Sequence, residues 1–213
     1  MSNSYPLVTI VDYGMGNIRS VVAALAHLGH ESRVSADCAL ISKSEALILP
    51  GVGSFPSAMK AIRDREIGTA INDAVTSGKS KILGICLGMQ LLAESSTEDG
   101  GSLGLGIFKG AVERFTPQVA ATLPIPHVGF NSVSAPQDSV LFHGLAPETD
   151  FYFVHSFRMS LSSSPARLAT SIYGEKFVAA FESGNVFGTQ FHPEKSQSNG
   201  LHLLSNFLGF EGI

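Results

Sequence analysis

Charge is scarce in this chain of 213 residues: charged side chains make up 15%, and 14 basic against 18 acidic groups leave a net charge of -4. No broad basic footprint is available to grip a phosphate backbone or an anionic lipid surface, so nucleic acid and membrane are not expected partners. Cysteine is scarce too. Cys38 and Cys86 are the only two, too few for a disulfide framework or a four-cysteine zinc cage, so both thiols are expected reduced and no metal or cofactor is expected. No apolar run approaches the roughly 20 residues of a membrane span, and Met1 to Pro6 lacks a basic stretch followed by an apolar one. A soluble, cytoplasmic protein is the expectation.

What the chain has is apolar residues (44%) and 22 glycines, a composition suited to a sheet buried on both faces and joined by tight turns. Its length fits one domain, residues 1–213. Leu7 to Val11 reads as a strand ending at the glycine-rich turn Asp12-Tyr13-Gly14-Met15-Gly16, and Ile18, Val21, Val22, Leu25 and Leu28 then recur at helical spacing up to Gly29. A buried strand, Ala46 to Leu49, is expected to stop at Pro50-Gly51-Val52-Gly53. One helical region from about Ser57 to Val75, a strand Lys81 to Ile85 and a helix Gly88 to Ala93 follow. This alternation predicts an α/β fold with a mostly parallel central sheet flanked by helices. Beyond Gly100, short apolar runs broken by Gly, Pro and Ser predict an added antiparallel portion in the C-terminal half, closed by a helix from about Gly200.

Three motifs carry chemistry. Gly84-Ile85-Cys86-Leu87-Gly88 has the G-x-C-x-G form of a nucleophile elbow, which presents a side chain at the carboxyl edge of a sheet and sets the thiol at a helix N-terminus. An isolated cysteine is more often a small buried hydrophobe, but the flanking glycines and the strand-to-helix context favour the nucleophile. A nucleophile of this kind needs a base and an orienting acid. Gln190-Phe191-His192-Pro193-Glu194 supplies His192 and Glu194 two residues apart, able to share a face of an extended segment. Pro50-Gly51-Val52-Gly53 offers uncluttered backbone amides for an oxyanion, although such turns are common.

Taken together and in this order, these motifs resemble those of class I glutamine amidotransferases, a family with a flavodoxin-like core. Asp12 to Ser20, Ile125-Pro126-His127-Val128-Gly129-Phe130-Asn131, Tyr152 to Phe157 and Phe191 to Gln197 are similar to the glutaminase subunits of imidazole glycerol phosphate synthase, and the likeness runs from about Val8 to Phe207. Phe130 and Phe157 depart from it, standing where Trp and Tyr are usual, so an indole N–H and a phenol O–H are lost.

The resemblance implies a Cys86, His192, Glu194 triad with Gly51, Val52 and Gly53 as oxyanion loop. It implies that Gln90 and Glu98 recognise the amino-acid end of L-glutamine, with Ser156 and Phe157 contributing backbone groups. It further implies a (β/α)₈-barrel cyclase subunit as heterodimer partner in histidine biosynthesis, with Asn17, Phe130, Tyr152 and Lys195 at the interface or ammonia gate. Three rivals stand beside this reading. A glutaminase serving a pyridoxal phosphate-forming synthase would lack the Tyr13 to Ser20 stretch. A thiol hydrolase of the α/β-hydrolase type normally places its acid before its histidine. A non-catalytic binding protein on the same sheet has no need of an intact triad.

Overall fold

The computed structural model describes residues 7–160 and 166–211; the reading of Met1 to Pro6 lies outside them. In chain order the strands are β1 (Val8–Val11), β2 (Ser32–Ser35), β3 (Ala46–Gly51), β4 (Lys81–Cys86), β5 (Ser95–Ser96), β6 (Ser102–Leu103), β7 (Ala111–Arg114), β8 (His127–Ser134), β9 (Glu148–His155), β10 (Phe157–Met159), β11 (Arg167–Tyr173), β12 (Glu175–Ser183) and β13 (Val186–Thr189). The helices are α1 (Ile18–His27), α2 (Cys38–Ile41), α3 (Phe55–Asp64), α4 (Ile67–Thr76), α5 (Leu87–Leu91), α6 (Pro117–Thr122) and α7 (Gln197–Gly209).

One sheet runs through these strands in the order β2-β1-β3-β4-β13-β12-β10-β7-β5-β6, with β11, β8 and β9 branching from β12. From β2 to β13 every pairing is parallel, and β12 then runs antiparallel to β13. The expected parallel core with an antiparallel C-terminal addition is what is found. Period-two alternation buries both faces of the parallel part. Val8, Ile10, Ala46, Ile48, Leu83 and Ile85 pack with α1 and α7 on one side, whereas Val11, Leu47, Leu49 and Ile82 pack with α3, α4 and α5 on the other. Among the described residues no helix is long and apolar enough to cross a membrane.

Three expectations need correction. β3 continues through Pro50 and Gly51, which pair with Ile85 and Cys86 of β4. On its other side β1 stops pairing at Ile48, so Pro50 sits at a local edge where a missing N–H costs no ladder bond. The helix expected from Ser57 to Val75 is two helices, broken at Glu66 with φ 58. Phe55, Ala58, Met59 and Ile62 face the core, but the next turn of that stripe falls on Arg65 and Glu66; breaking there rephases Ile67, Ala70 and Ile71 inward. Finally, α7 begins at Gln197, not near Gly200. Gly200 is an interior position where a Cβ would lie 1.9 Å from the Pro193 carbonyl oxygen, so its role is close packing against the loop that follows His192.

Candidate active site

The elbow is built by close approach. A Cβ at Gly88 would lie 1.8 Å from the Leu49 carbonyl oxygen, and one at Gly84 would lie 2.7 Å from Met89 backbone, so α5 can tuck under β3 only with glycine at both positions. Neither glycine carries the unusual dihedral. Cys86 does, with φ 54 and ψ -111, a strained geometry costing about 1–3 kcal/mol for a residue with a Cβ. Its thiol is buried, 3.8 Å from the Val154 carbonyl oxygen.

β13 delivers the second motif beside it, since β13 pairs in register with β4. His192 and Glu194 meet across the tight helical turn Pro193–Lys195, not along an extended segment as expected. His192 Nδ1 lies 2.8 Å from Glu194 Oε1, and both side chains are 1% exposed. Among the described residues the buried His192 Nε2 makes no hydrogen bond. Burial alone would push the His192 pKa down, but the neighbouring Cys86 and Glu194 outweigh it and carry it up to about 10. The imidazole is thus coupled to both Cys86 and Glu194, an arrangement able to hold and return a proton.

Gly51 lies opposite Cys86 in the β3–β4 pairing, which sets the Gly51, Val52 and Gly53 segment at the elbow. Gly53 has φ 111 and packs on Met15, while the Tyr13 hydroxyl donates to the Pro50 carbonyl at 2.9 Å. The Asp12 to Gly16 turn thus braces the Gly51 to Gly53 segment, a contact that sequence spacing did not reveal.

Gln90, on the buried face of α5, donates to the Phe157 carbonyl at 3.0 Å and to Gln190 Oε1 at 2.9 Å. Phe157, with Ser156 in the link between β9 and β10, also accepts from His155 Nδ1 at 2.8 Å. Burial drives the His155 pKa down to about 3, so the ring is a neutral donor there. Glu98 sits beside the far end of the loop, where its Oε2 accepts from Phe55 N at 2.8 Å and caps α3. Gln190, His155 and Tyr13 were not singled out from the sequence, though all three lie within the quoted motifs.

Of the four expected interface residues, three are contiguous. Phe130 pairs with Tyr152 across β8 and β9, their ring centroids are 5.6 Å apart, and Lys195 Nζ lies 5.9 Å above the Tyr152 ring. Phe130 is 51% exposed, a large apolar side chain on an open face. Asn17 immediately precedes α1, which packs against the Pro193–Lys195 turn. Tyr152 reaches the His192–Ser196 loop directly: its carbonyl accepts from His192 N at 2.9 Å, and its N–H donates to Ser196 Oγ at 2.9 Å.

The family model for class I glutamine amidotransferases matches residues 9–209. The chain belongs to the class I glutamine amidotransferase family. Among curated amidotransferases of this kind, it is 42% identical over 201 residues to imidazole glycerol phosphate synthase subunit HisH of Oceanobacillus iheyensis, covering 94% of this chain and 98% of that protein. It is 43% identical over 205 residues to the subunit of the same name from Chlorobaculum tepidum, covering 96% of this chain and 100% of that one. A solved structure of PurLQS from Thermotoga maritima shares the fold, with a TM-score of 0.71 at 23% identity over 96% of this chain and 98% of the other.

Proposed function

We propose that this chain is the glutaminase subunit of an imidazole glycerol phosphate synthase, hydrolysing L-glutamine at Cys86. The observation that carries the chemistry is the buried His192–Glu194 pair, 2.8 Å apart, whose imidazole is coupled to the strained Cys86. With the thiol proton held on His192, the sulfur attacks the side-chain carbonyl carbon of glutamine, while Glu194 stabilises the imidazolium. Backbone amides of the Gly51 to Gly53 segment and of the turn after Cys86 take the oxyanion. His192 returns the proton to the departing nitrogen, ammonia leaves, and a glutamyl thioester remains. Water, deprotonated by His192, attacks the thioester and glutamate departs with the thiol restored.

Gln90 and Glu98 hold the amino-acid end of the substrate, and Ser156 and Phe157 contribute backbone groups. Ammonia passes to a (β/α)₈-barrel cyclase subunit in the cytoplasm, which uses it to form imidazole glycerol phosphate and an aminoimidazole carboxamide ribonucleotide. Asn17, Phe130, Tyr152 and Lys195 form the docking face. The Tyr152–His192 backbone bond supports that assignment, because it joins the face to the triad in one step.

Glutamate release by the chain with its cyclase subunit and ribonucleotide, beside Cys86→Ala, tests the activity. Release that persists in Cys86→Ala would sink the mechanism. Co-purification tests the partner separately, and association with a different synthase would overturn that part alone.

A further inference from the structure

The side-chain amide of Gln190 bridges the nucleophile and the Gln90 side chain, and we propose that Gln190 is a positioning residue for glutamine hydrolysis, supporting the sulfur while fixing the orientation of Gln90. The inference rests on the glutaminase reading above.

Gln190 follows β13 immediately, its N–H donates to the Ala179 carbonyl at 2.8 Å, and it is fully buried. The direction of both amides follows from proton accounting. The Phe157 carbonyl oxygen can only accept, and Gln90 Nε2 lies 3.0 Å from it, so Gln90 must present its NH₂ there. The same nitrogen lies 2.9 Å from the Gln190 side chain, which must therefore present Oε1. Nε2 of Gln190 is then the end that faces Cys86, 3.8 Å from Sγ. Reversing either amide would set two acceptors, or two donors, against each other.

Each end of Gln190 thus has a separate task. Oε1 holds Gln90 against Phe157, one turn of helix from the elbow. Nε2 gives a donor to the sulfur, and a donor favours the sulfur in the states where it carries negative charge: before attack, and again when the thioester breaks. A buried glutamine that merely filled space would need neither polarity nor this order of atoms, and a side chain of similar volume without them would avoid the cost of burying an amide.

Two substitutions separate the tasks. Gln190→Glu keeps the length and an acceptor toward Gln90 but sets a carboxylate oxygen against the sulfur. Gln190→Met keeps the volume and removes both contacts. In the full chain, the pH profile of Cys86 alkylation by iodoacetamide reports on the sulfur, and kcat and KM for L-glutamine are measured with the cyclase subunit present. Gln190→Glu is expected to move the alkylation profile to higher pH by about one unit, equivalent to ~tenfold slower alkylation on the low-pH limb of the profile, with a fall in kcat and little change in KM. Gln190→Met is expected to lower kcat and to raise KM as well, because Gln90 is released.

Folded variants that alkylate with the wild-type pH profile and keep wild-type kcat would overturn the proposal. If Gln190→Glu does not fold, the profile of Gln190→Met decides: a shift to higher pH supports the proposal and an unmoved one overturns it. The Cys86→Ala control is read first. Glutamate release that does not depend on Cys86 sinks the glutaminase reading and this inference together, whereas Cys86-dependent release with unmoved Gln190 variants sinks this inference alone.

Discussion

Tyr13 donates its hydroxyl to the carbonyl of Pro50 at 2.9 Å, so the turn after the first strand is bonded to the loop proposed to hold the oxyanion. The phenol is fully buried, and its pKa stands well above the usual value because of burial first and the nearby Cys86 second. It remains a neutral donor through any ordinary assay pH. Tyr13→Phe deletes this one bond and leaves the carbonyl without it, at a cost of about 1–3 kcal/mol if no other donor replaces it. The expected result is a lower melting temperature and a kcat reduced by more than the change in KM, read by thermal unfolding and steady-state glutaminase kinetics. An unchanged kcat would show that the loop holds its shape without Tyr13.

The elbow leaves no room at Gly88. Because a Cβ there would lie 1.8 Å from the Leu49 carbonyl oxygen, backbone against backbone, Gly88→Ala must push α5 away from β3. A loss of about 3 kcal/mol or more is expected, on the scale of a severe core clash. Denaturant unfolding checks it, and a midpoint near wild type would contradict the packing described.

Glu98 has two tasks that one substitution separates. Its carboxylate caps α3 through Phe55 N at 2.8 Å and is also proposed to recognise glutamine. Glu98→Gln retains an acceptor for the cap but loses the charge, so stability should fall by less than about 1 kcal/mol. KM for glutamine should rise several-fold. A wild-type KM in this variant would reduce Glu98 to a capping residue.

The His192–Glu194 pair should also leave a signature in stability against pH. His192 has its pKa raised to about 10, with burial opposing and Cys86 and Glu194 prevailing. A raised histidine contributes stability that is fully present below its unfolded value of about 6.5 and is lost as pH rises through the folded value. Removing the Glu194 charge should lower the folded value. Thermal melts of wild type and Glu194→Gln are therefore expected to differ most near pH 6 and to converge as pH passes about 10. A difference that grows with pH would contradict a charged His192.

The local features were legible in the sequence for local reasons. Val8 to Val11, Lys81 to Cys86 and Val186 to Thr189 are short apolar runs bounded by turn residues, and any strand buried on both faces must look like that. The G-x-C-x-G spacing and the His192, Glu194 pair were equally plain, because each is complete within a few consecutive residues. Tertiary structure decided what depends on distant segments. The break at Glu66 follows from which face of each helix meets the sheet, and the short strands β5 and β6 form only as additions to a sheet already built. The meaning of the glycines also changed. Gly84, Gly88 and Gly200 are required by close backbone approach, while the positive φ of the strand-to-helix turn falls on Cys86 itself. The bonds from Tyr13 to Pro50 and from Gln90 to Gln190 and Phe157 join residues tens of positions apart. Spacing along the chain carries no information about such pairs; only the register of β1, β3, β4 and β13 brings them within reach of one another.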